Sequence, residues 1–250
     1  MVNVFITGAT GKMGKEIISA TEEHPRCNLV GASGSKNNDL IGQDLGELLG
    51  REELGIFLSS NFINCNNADV IIDFSFKDYS LMVANYAAEN KIPLVIGTTG
   101  FNEKECNELE LHAQHIPLLI TPNTSRGINF IEHMIEMSGD LLIPFDDIKI
   151  EETHNKHKKD MPSGTSKYLS KVINKKLNKK IRDKDIISIR KGDIKGEHKI
   201  FIKNEHELLE IKHSVTDRGV FAKGALEAGI WLSSQSKGIY QMSDIHSFSS

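Results

Sequence analysis

The sequence predicts an α/β protein in which a doubly wound parallel sheet is joined to a smaller α+β domain. Three observations carry this expectation. Up to Pro122, short apolar runs alternate with segments of helical periodicity, the pattern of successive βαβ units. A glycine-rich loop, GATGKMG, lies directly between the first apolar run and the first helical segment. Beyond Pro122 that rhythm stops, and later runs alternate polar and apolar residues as strands of an open sheet do.

In chain order, VNVFIT reads as a strand, KMGKEIISATEEH as a helix and CNLVGAS as a second strand. ADVIIDFS is the next strand, YSLMVANYAAENK a helix, PLVIGT a strand, NEKECNELELHAQH a helix and IPLLITP a strand. A helical run, INFIEHMIEMSGDLL, then leads to DDIKIEETH, a basic loop, and a helix SKYLSKVINKKL with Tyr168, Leu169, Val172, Ile173 and Leu177 at helical spacing. DIISIRKG, HKIFIKN and HELLEIKHSV are three further strand candidates, and GALEAGIWLSSQ is helical, with an apolar face suited to packing on the first domain. These patterns place residues 1–124 and 219–250 in one domain and 125–218 in another.

An apolar fraction of 39% with 26% charged residues is that of an ordinary globular protein. The net charge of −4 argues against a general nucleic-acid binder, although lysines are dense between Lys156 and Lys203. Cys27, Cys65 and Cys106 are far apart with no C-x-x-C pair, which fits a reducing cytoplasm rather than a disulfide framework. No apolar run approaches bilayer length and the N-terminus has no secretory pattern, so a cytoplasmic, non-membrane protein is expected.

The loop residues Gly8, Ala9, Thr10, Gly11, Lys12, Met13 and Gly14 have the strand-to-helix context of a dinucleotide-binding turn, and hence of a Rossmann-like sheet. Glycine there permits a tight turn and close approach to a pyrophosphate, whose charge meets a helix N-terminus. A plain strand-to-helix turn is the competing reading. After the second strand, GASGSKNND lacks the acid that binds the ribose hydroxyls of NADH, and Lys36 stands about where that acid would be. A cation suits the 2′-phosphate of NADPH, so NADPH is expected to be accepted at least as well as NADH. Gly97, Thr98 and Thr99, and then Thr121, Pro122, Asn123 and Thr124, end strands at the same sheet edge and are candidates for contact with the nicotinamide.

In EETHNKHKKDMPSGT, two histidines, three lysines and a Ser163-Gly164-Thr165 turn precede a helix. A solvated basic loop is the plain reading. A helix N-terminus beside lysines also makes a site for a carboxylate or phosphate. A metal site built from His154 and His157 would need further ligands, and no third Cys/His neighbour is evident in the sequence, so no metal is expected. None of Tyr79, Tyr86, Tyr168 or Tyr240 has the lysine four residues on that a short-chain dehydrogenase requires. Cys65 has no neighbouring base that would make it a dehydrogenase nucleophile.

With GATGKMG, DVIIDFS, GTTGF, PNTSRGIN, the loop E-x-H-x-x-H-K-x-D-x-P-S-G-T and RGVFAKGALEAGIWL in this order, nearly the whole chain resembles bacterial dihydrodipicolinate reductase. The resemblance implies reduction of 4-hydroxy-tetrahydrodipicolinate, a cyclic dicarboxylate, to tetrahydrodipicolinate with NADPH or NADH in lysine and diaminopimelate biosynthesis. It implies that residues 1–124 and 219–250 bind the dinucleotide and that 125–218 bind substrate and build a homotetramer. His154 and Lys158 match the family's catalytic histidine and proton-donating lysine; Asn155, Ser163, Gly164 and Thr165 match its substrate contacts. Two positions depart from the family pattern. Asn155 replaces a second histidine and cannot carry its charge, and Arg126 stands where an aliphatic residue is usual. The alternative from another class is a non-catalytic NADPH-binding sensor of the same fold, against which the retained His154 and Lys158 weigh.

Overall fold

The computed structural model describes residues 1–62, 65 and 67–246. It divides into two compact units, Met1–Thr124 with Phe221–Ser250, and Ser125–Val220.

The first unit contains β1 (Val2–Thr7), α1 (Lys12–Glu22), β2 (Cys27–Ser33), α2 (Leu45–Leu48), β3 (Leu58–Ser59) and β4 (Val70–Asp73). It continues with α3 (Lys77–Asn90), β5 (Leu94–Ile96), α4 (Glu103–His112) and β6 (Pro117–Ile120). The strands form a parallel sheet whose order is completed by β11 (Gly238–Tyr240): β11-β6-β5-β4-β1-β2-β3. Strand alternation explains why these runs are apolar throughout. Val4, Ile6, Val70 and Ile72 pack on one face with Ile17 and Ile18 of α1, while Phe5, Ile71, Leu94 and Ile96 pack on the other with Val83, Ala84 and Ala87 of α3 and Leu109 of α4. The sheet order turns at β1, which lies between β4 and β2, and ligands of such sheets bind beyond the strand C-termini at that point.

The second unit contains α5 (Arg126–Ser138), β7 (Asp147–His154), α6 (Gly164–Leu177), β8 (Ile187–Arg190), β9 (Glu197–Lys203) and β10 (Leu208–Ser214). Its sheet order is β10-β9-β7-β8, with β7 and β8 parallel and the other pairs antiparallel. Ile150, Ile200 and Ile202 face a core formed with Ile128, Ile131 and Ile135 of α5 and Leu169, Ile173 and Leu177 of α6. Ile187, Ile189 and Leu208 remain exposed on the same sheet. The chain then enters α7 (Gly219–Leu232), whose Ala222, Ala225, Leu226, Ala228 and Leu232 complete the first unit's core beside Val4 and Ile72.

Where the structure departs from the sequence reading, the elements are short or frayed. The helix expected through His115 stops at His112, and the one expected through Leu142 gives way after Ser138 to a 3-10 turn. The elements α2, β3 and β11 are of two to four residues, too short for periodicity to reveal. Among the described residues, no helix is long and apolar enough to cross a membrane.

Candidate functional site

In the first unit, the glycine loop connects β1 to α1. Gly8 has φ +78°, and a Cβ on it would lie 2.2 Å from the Phe74 carbonyl oxygen; a Cβ on Gly14 would lie 2.2 Å from the Gly8 carbonyl oxygen. Both positions therefore need glycine for the turn to close against β4 and for α1 to begin where it does. Gly11 caps α1 with no side-chain hydrogen bond, which leaves the helix start open to an external acceptor.

A cleft of ≈ 640 Å³ beside this loop is lined by Gly8, Thr10, Gly11 and Lys36, and also by Phe76, Tyr79 and Met82. A second cleft of ≈ 580 Å³ shares Gly11, Phe74, Ser75 and Phe76 with it and adds Lys12, Met13, Gly97, Thr98 and Thr99. The structure thus gathers Lys36, the glycine loop and the Gly97–Thr99 turn along one edge. Ala9 and Gly14 are buried beneath it. Thr121, Pro122, Asn123 and Thr124 line neither cleft. The Thr121 hydroxyl donates to the Asn123 carbonyl (2.9 Å) and Thr124 Oγ1 donates to the Phe221 carbonyl (2.7 Å), so these hydroxyls secure the chain after β6.

Beneath the clefts is a carboxylate that sequence reasoning missed. Asp73, fully buried at the end of β4, accepts hydrogen bonds from Thr7 Oγ1 (2.5 Å), Ser75 Oγ (2.5 Å), Ser80 Oγ (2.5 Å) and Thr98 Oγ1 (2.7 Å). Ser75 N donates in turn to Thr98 Oγ1 at 2.9 Å. One side chain therefore ties together the ends of β1, β4 and β5 and the first turns of α3.

In the second unit, β7 ends with His154 and α6 begins after Ser163. His154 is buried, and its Nδ1 forms a very short contact with Glu152 Oε2. The other Glu152 oxygen, Oε1, accepts from Arg190 Nη2 (2.9 Å) and from Ser163 N (3.3 Å). Burial alone would raise the Glu152 carboxyl, but the His154 ring, the Arg190 guanidinium and the Ser188 hydroxyl outweigh it and bring it down to about 2. Arg190 also donates to the carbonyls of Lys158 (3.2 Å) and Asp160 (2.5 Å), fixing the path of the basic loop.

Lys158 pairs with Asp160 at 2.9 Å and is partly exposed. Asn155 Oδ1 accepts from the His157 backbone N–H at 3.1 Å, so the residue that departs from the family pattern stabilises the loop turn. His157 is exposed and does not join the buried cluster. The Ser163 hydroxyl accepts from Ser166 N (3.2 Å) as the α6 cap and lies 3.3 Å from His198 Nε2. It is thus engaged locally, and Gly164 and Thr165 form the first turn of α6. Arg126 is the first residue of α5.

His198, from β9, packs edge-on against His154 with ring centroids 5.1 Å apart, and His213 of β10 lies 6.4 Å beyond. Burial first, and then the His154 ring, push His198 down to about 3, so it is neutral. The sequence offered no third neighbour for a metal, and here the structure differs, because ligand atoms of Glu152, His154 and His198 lie within 4.8 Å of one another. Yet Glu152 Oε2 and His154 Nδ1 already face each other, and Arg190 holds the other oxygen as a resident cation. That set fits a carboxylate–imidazole pair better than a divalent ion.

Comparison with known proteins finds a likeness along nearly the whole chain. The family model for the N-terminus of dihydrodipicolinate reductase matches residues 2–124, and that for its C-terminus matches 127–245. The 4-hydroxy-tetrahydrodipicolinate reductase of Colwellia psychrerythraea is 35% identical, with 98% of this chain and 97% of the relative covered. That of Campylobacter curvus is 38% identical, with 98% of each covered. A dipicolinate-bound dihydrodipicolinate reductase from Paenisporosarcina, at 22% identity, shares the fold with a TM-score of 0.75 over 96% of this chain and 97% of its own. The chain belongs to the dihydrodipicolinate reductase family, whose members are NAD(P)H-dependent oxidoreductases.

Proposed function

We infer that this chain reduces 4-hydroxy-tetrahydrodipicolinate to tetrahydrodipicolinate with NADPH or NADH in lysine and diaminopimelate biosynthesis. The observation that carries the reading is the convergence, within one unit, of His154, Lys158 and the Gly164–Thr165 helix start, on a chain that belongs to the reductase family along its length. The substrate is a dianion. The first-turn N–H groups of α6 take one carboxylate, and Lys158, exchanging Asp160 for substrate, supplies a mobile cation and donor. Asn155 contributes a neutral hydrogen bond where the family's second histidine would add charge.

The bound cofactor supplies a hydride, and the ring gains a proton and loses water. His154 and Lys158 are the residues that supply or accept that proton. In the first unit, the Gly8–Gly14 turn and the α1 N-terminus would hold the cofactor's pyrophosphate, and Phe76, Tyr79 and Met82 would give its cleft an apolar wall. Lys36 lines the same cleft, which supports the expectation that NADPH is used at least as well as NADH.

The second unit also carries the surface for self-association. Its sheet leaves Ile187, Ile189 and Leu208 exposed among charged residues, which supports a homotetramer built on this face. A cytoplasmic location fits the biosynthetic role and the three free cysteines.

The test is NADPH and NADH oxidation by the purified protein while an aldolase makes the substrate from pyruvate and aspartate semialdehyde. Oxidation that depends on the aldolase is expected. Cofactor binding without any such oxidation would instead favour the non-catalytic sensor.

A further inference from the structure

Glu152 stands out among the groups that the proposed reaction does not itself use. It is a fully buried carboxylate in the second unit, and each of its oxygens has a different task. On Oε1 it accepts from Ser163 N, at the entry to α6, and from Arg190 Nη2. Its Oε2 faces His154 Nδ1 in a very short contact, and the Ser188 hydroxyl also acts on the carboxylate. The far side of the imidazole is kept clear, because Gly196 has no side chain and a Cβ there would sit 3.2 Å from His154 Nε2.

We propose that Glu152 is a positioning residue: its carboxylate holds the proton of neutral His154 on Nδ1 and so reserves Nε2 for proton exchange with the substrate, while Arg190 locks that carboxylate and the Lys158–Asp160 backbone into one frame. This rests on the reading of His154 as a residue that handles the reaction's proton. The remaining groups around the ring are consistent with it. His198 packs edge-on against the ring, and its Nε2 lies 3.3 Å from the Ser163 hydroxyl. A carboxylate on one imidazole nitrogen fixes which tautomer is present and stabilises the imidazolium when it forms.

The direction of the hydrogen bonds makes Glu152→Gln a specific test. The amide oxygen must take the Oε1 place, where two N–H donors converge. The amide NH2 then faces His154 Nδ1 and donates to it, which moves the ring proton to Nε2. In protein labelled with 15N at histidine, the neutral His154 ring is expected to carry its proton on Nδ1 in the native chain and on Nε2 in the variant. Turnover is expected to fall by about 100-fold or more, with the KM values for substrate and NADPH within about threefold of native. A purely structural role would lower Tm without moving the tautomer.

The proposal is overturned if neutral native His154 carries its proton on Nε2, a result that does not depend on the variant folding. It is equally overturned if the variant keeps the native tautomer or loses less than about threefold in kcat. Activity that survives His154→Ala would overturn the underlying reading instead, and the tautomer measurement keeps the two failures apart.

Discussion

Two buried carboxylates, one in each unit, solve the same electrostatic problem with different partners. Asp73 in the first unit is surrounded by four hydroxyl donors from Thr7, Ser75, Ser80 and Thr98. Glu152 in the second is held by a guanidinium, a backbone N–H and an imidazole. Neutral hydroxyls satisfy a charge by hydrogen bonding alone and bring no titratable partner, which suits a hub that joins strand ends beneath the clefts of the first unit. An imidazole partner can gain or lose a proton, so the surroundings of Glu152 are tied to chemistry as well as to folding. The difference between the two sites lies in their partners and not in burial, because both carboxylates are fully buried.

The largest expected effect comes from removing the guanidinium that the second site holds against Glu152. Arg190→Met leaves a buried carboxylate without its guanidinium and frees the loop carbonyls of Lys158 and Asp160, and it is expected to cost about 3–5 kcal/mol of stability. Chemical denaturation of the variant reads this directly, and a cost below about 1 kcal/mol would mean that Arg190 is dispensable. Asp73→Asn comes next. An amide nitrogen cannot accept, so the hydroxyls bound to one oxygen lose their acceptor, with an expected loss of about 2–3 kcal/mol. NADPH titration should weaken alongside it, because Thr98 and Ser75 line the cleft, whereas binding of a dicarboxylate analogue should not change.

Acid titration sharpens the contrast further. The Glu152 carboxyl is held at about 2 against an ordinary 4.5, so the native state binds fewer protons there than the unfolded chain does. Its contribution, on the order of 3 kcal/mol, is complete above pH 4.5 and is lost as pH falls from there towards 2. Glu152→Gln should therefore flatten the fall in stability across that window. An unchanged acid limb would contradict the pairing. The smallest effect concerns cofactor choice: Lys36→Glu is expected to shift the NADPH/NADH affinity ratio about tenfold towards NADH, and an unchanged ratio would remove Lys36 from the 2′-phosphate site.

Much of the first unit was legible because its strands are apolar on both faces and its helices are long enough to show their period. The glycine loop was legible because Gly8 and Gly14 answer to local sterics. The short elements α2, β3 and β11 carry no readable period. In the second unit, His154, Lys158 and the Ser163 turn lie within one short stretch of sequence and stood out together. Glu152 and Arg190 did not, since they are 38 residues apart and meet only through the parallel pairing of β7 with β8. One local signal was present: Ile148, Ile150, Glu152 and His154 alternate along β7, so a carboxylate and an imidazole share the face that further back is apolar core. The motif of Ser163 was legible as a helix start, and its hydroxyl caps α6 and lies 3.3 Å from His198 Nε2.

The most direct measurement of the central claim is steady-state kinetics of His154→Ala and Lys158→Ala in the aldolase-coupled assay, with NADPH affinity measured separately. Loss of at least about 100-fold in kcat/KM in both variants, with native NADPH affinity, is the expected result. Aldolase-dependent turnover that survives in both would contradict it and move the proton chemistry away from this cluster.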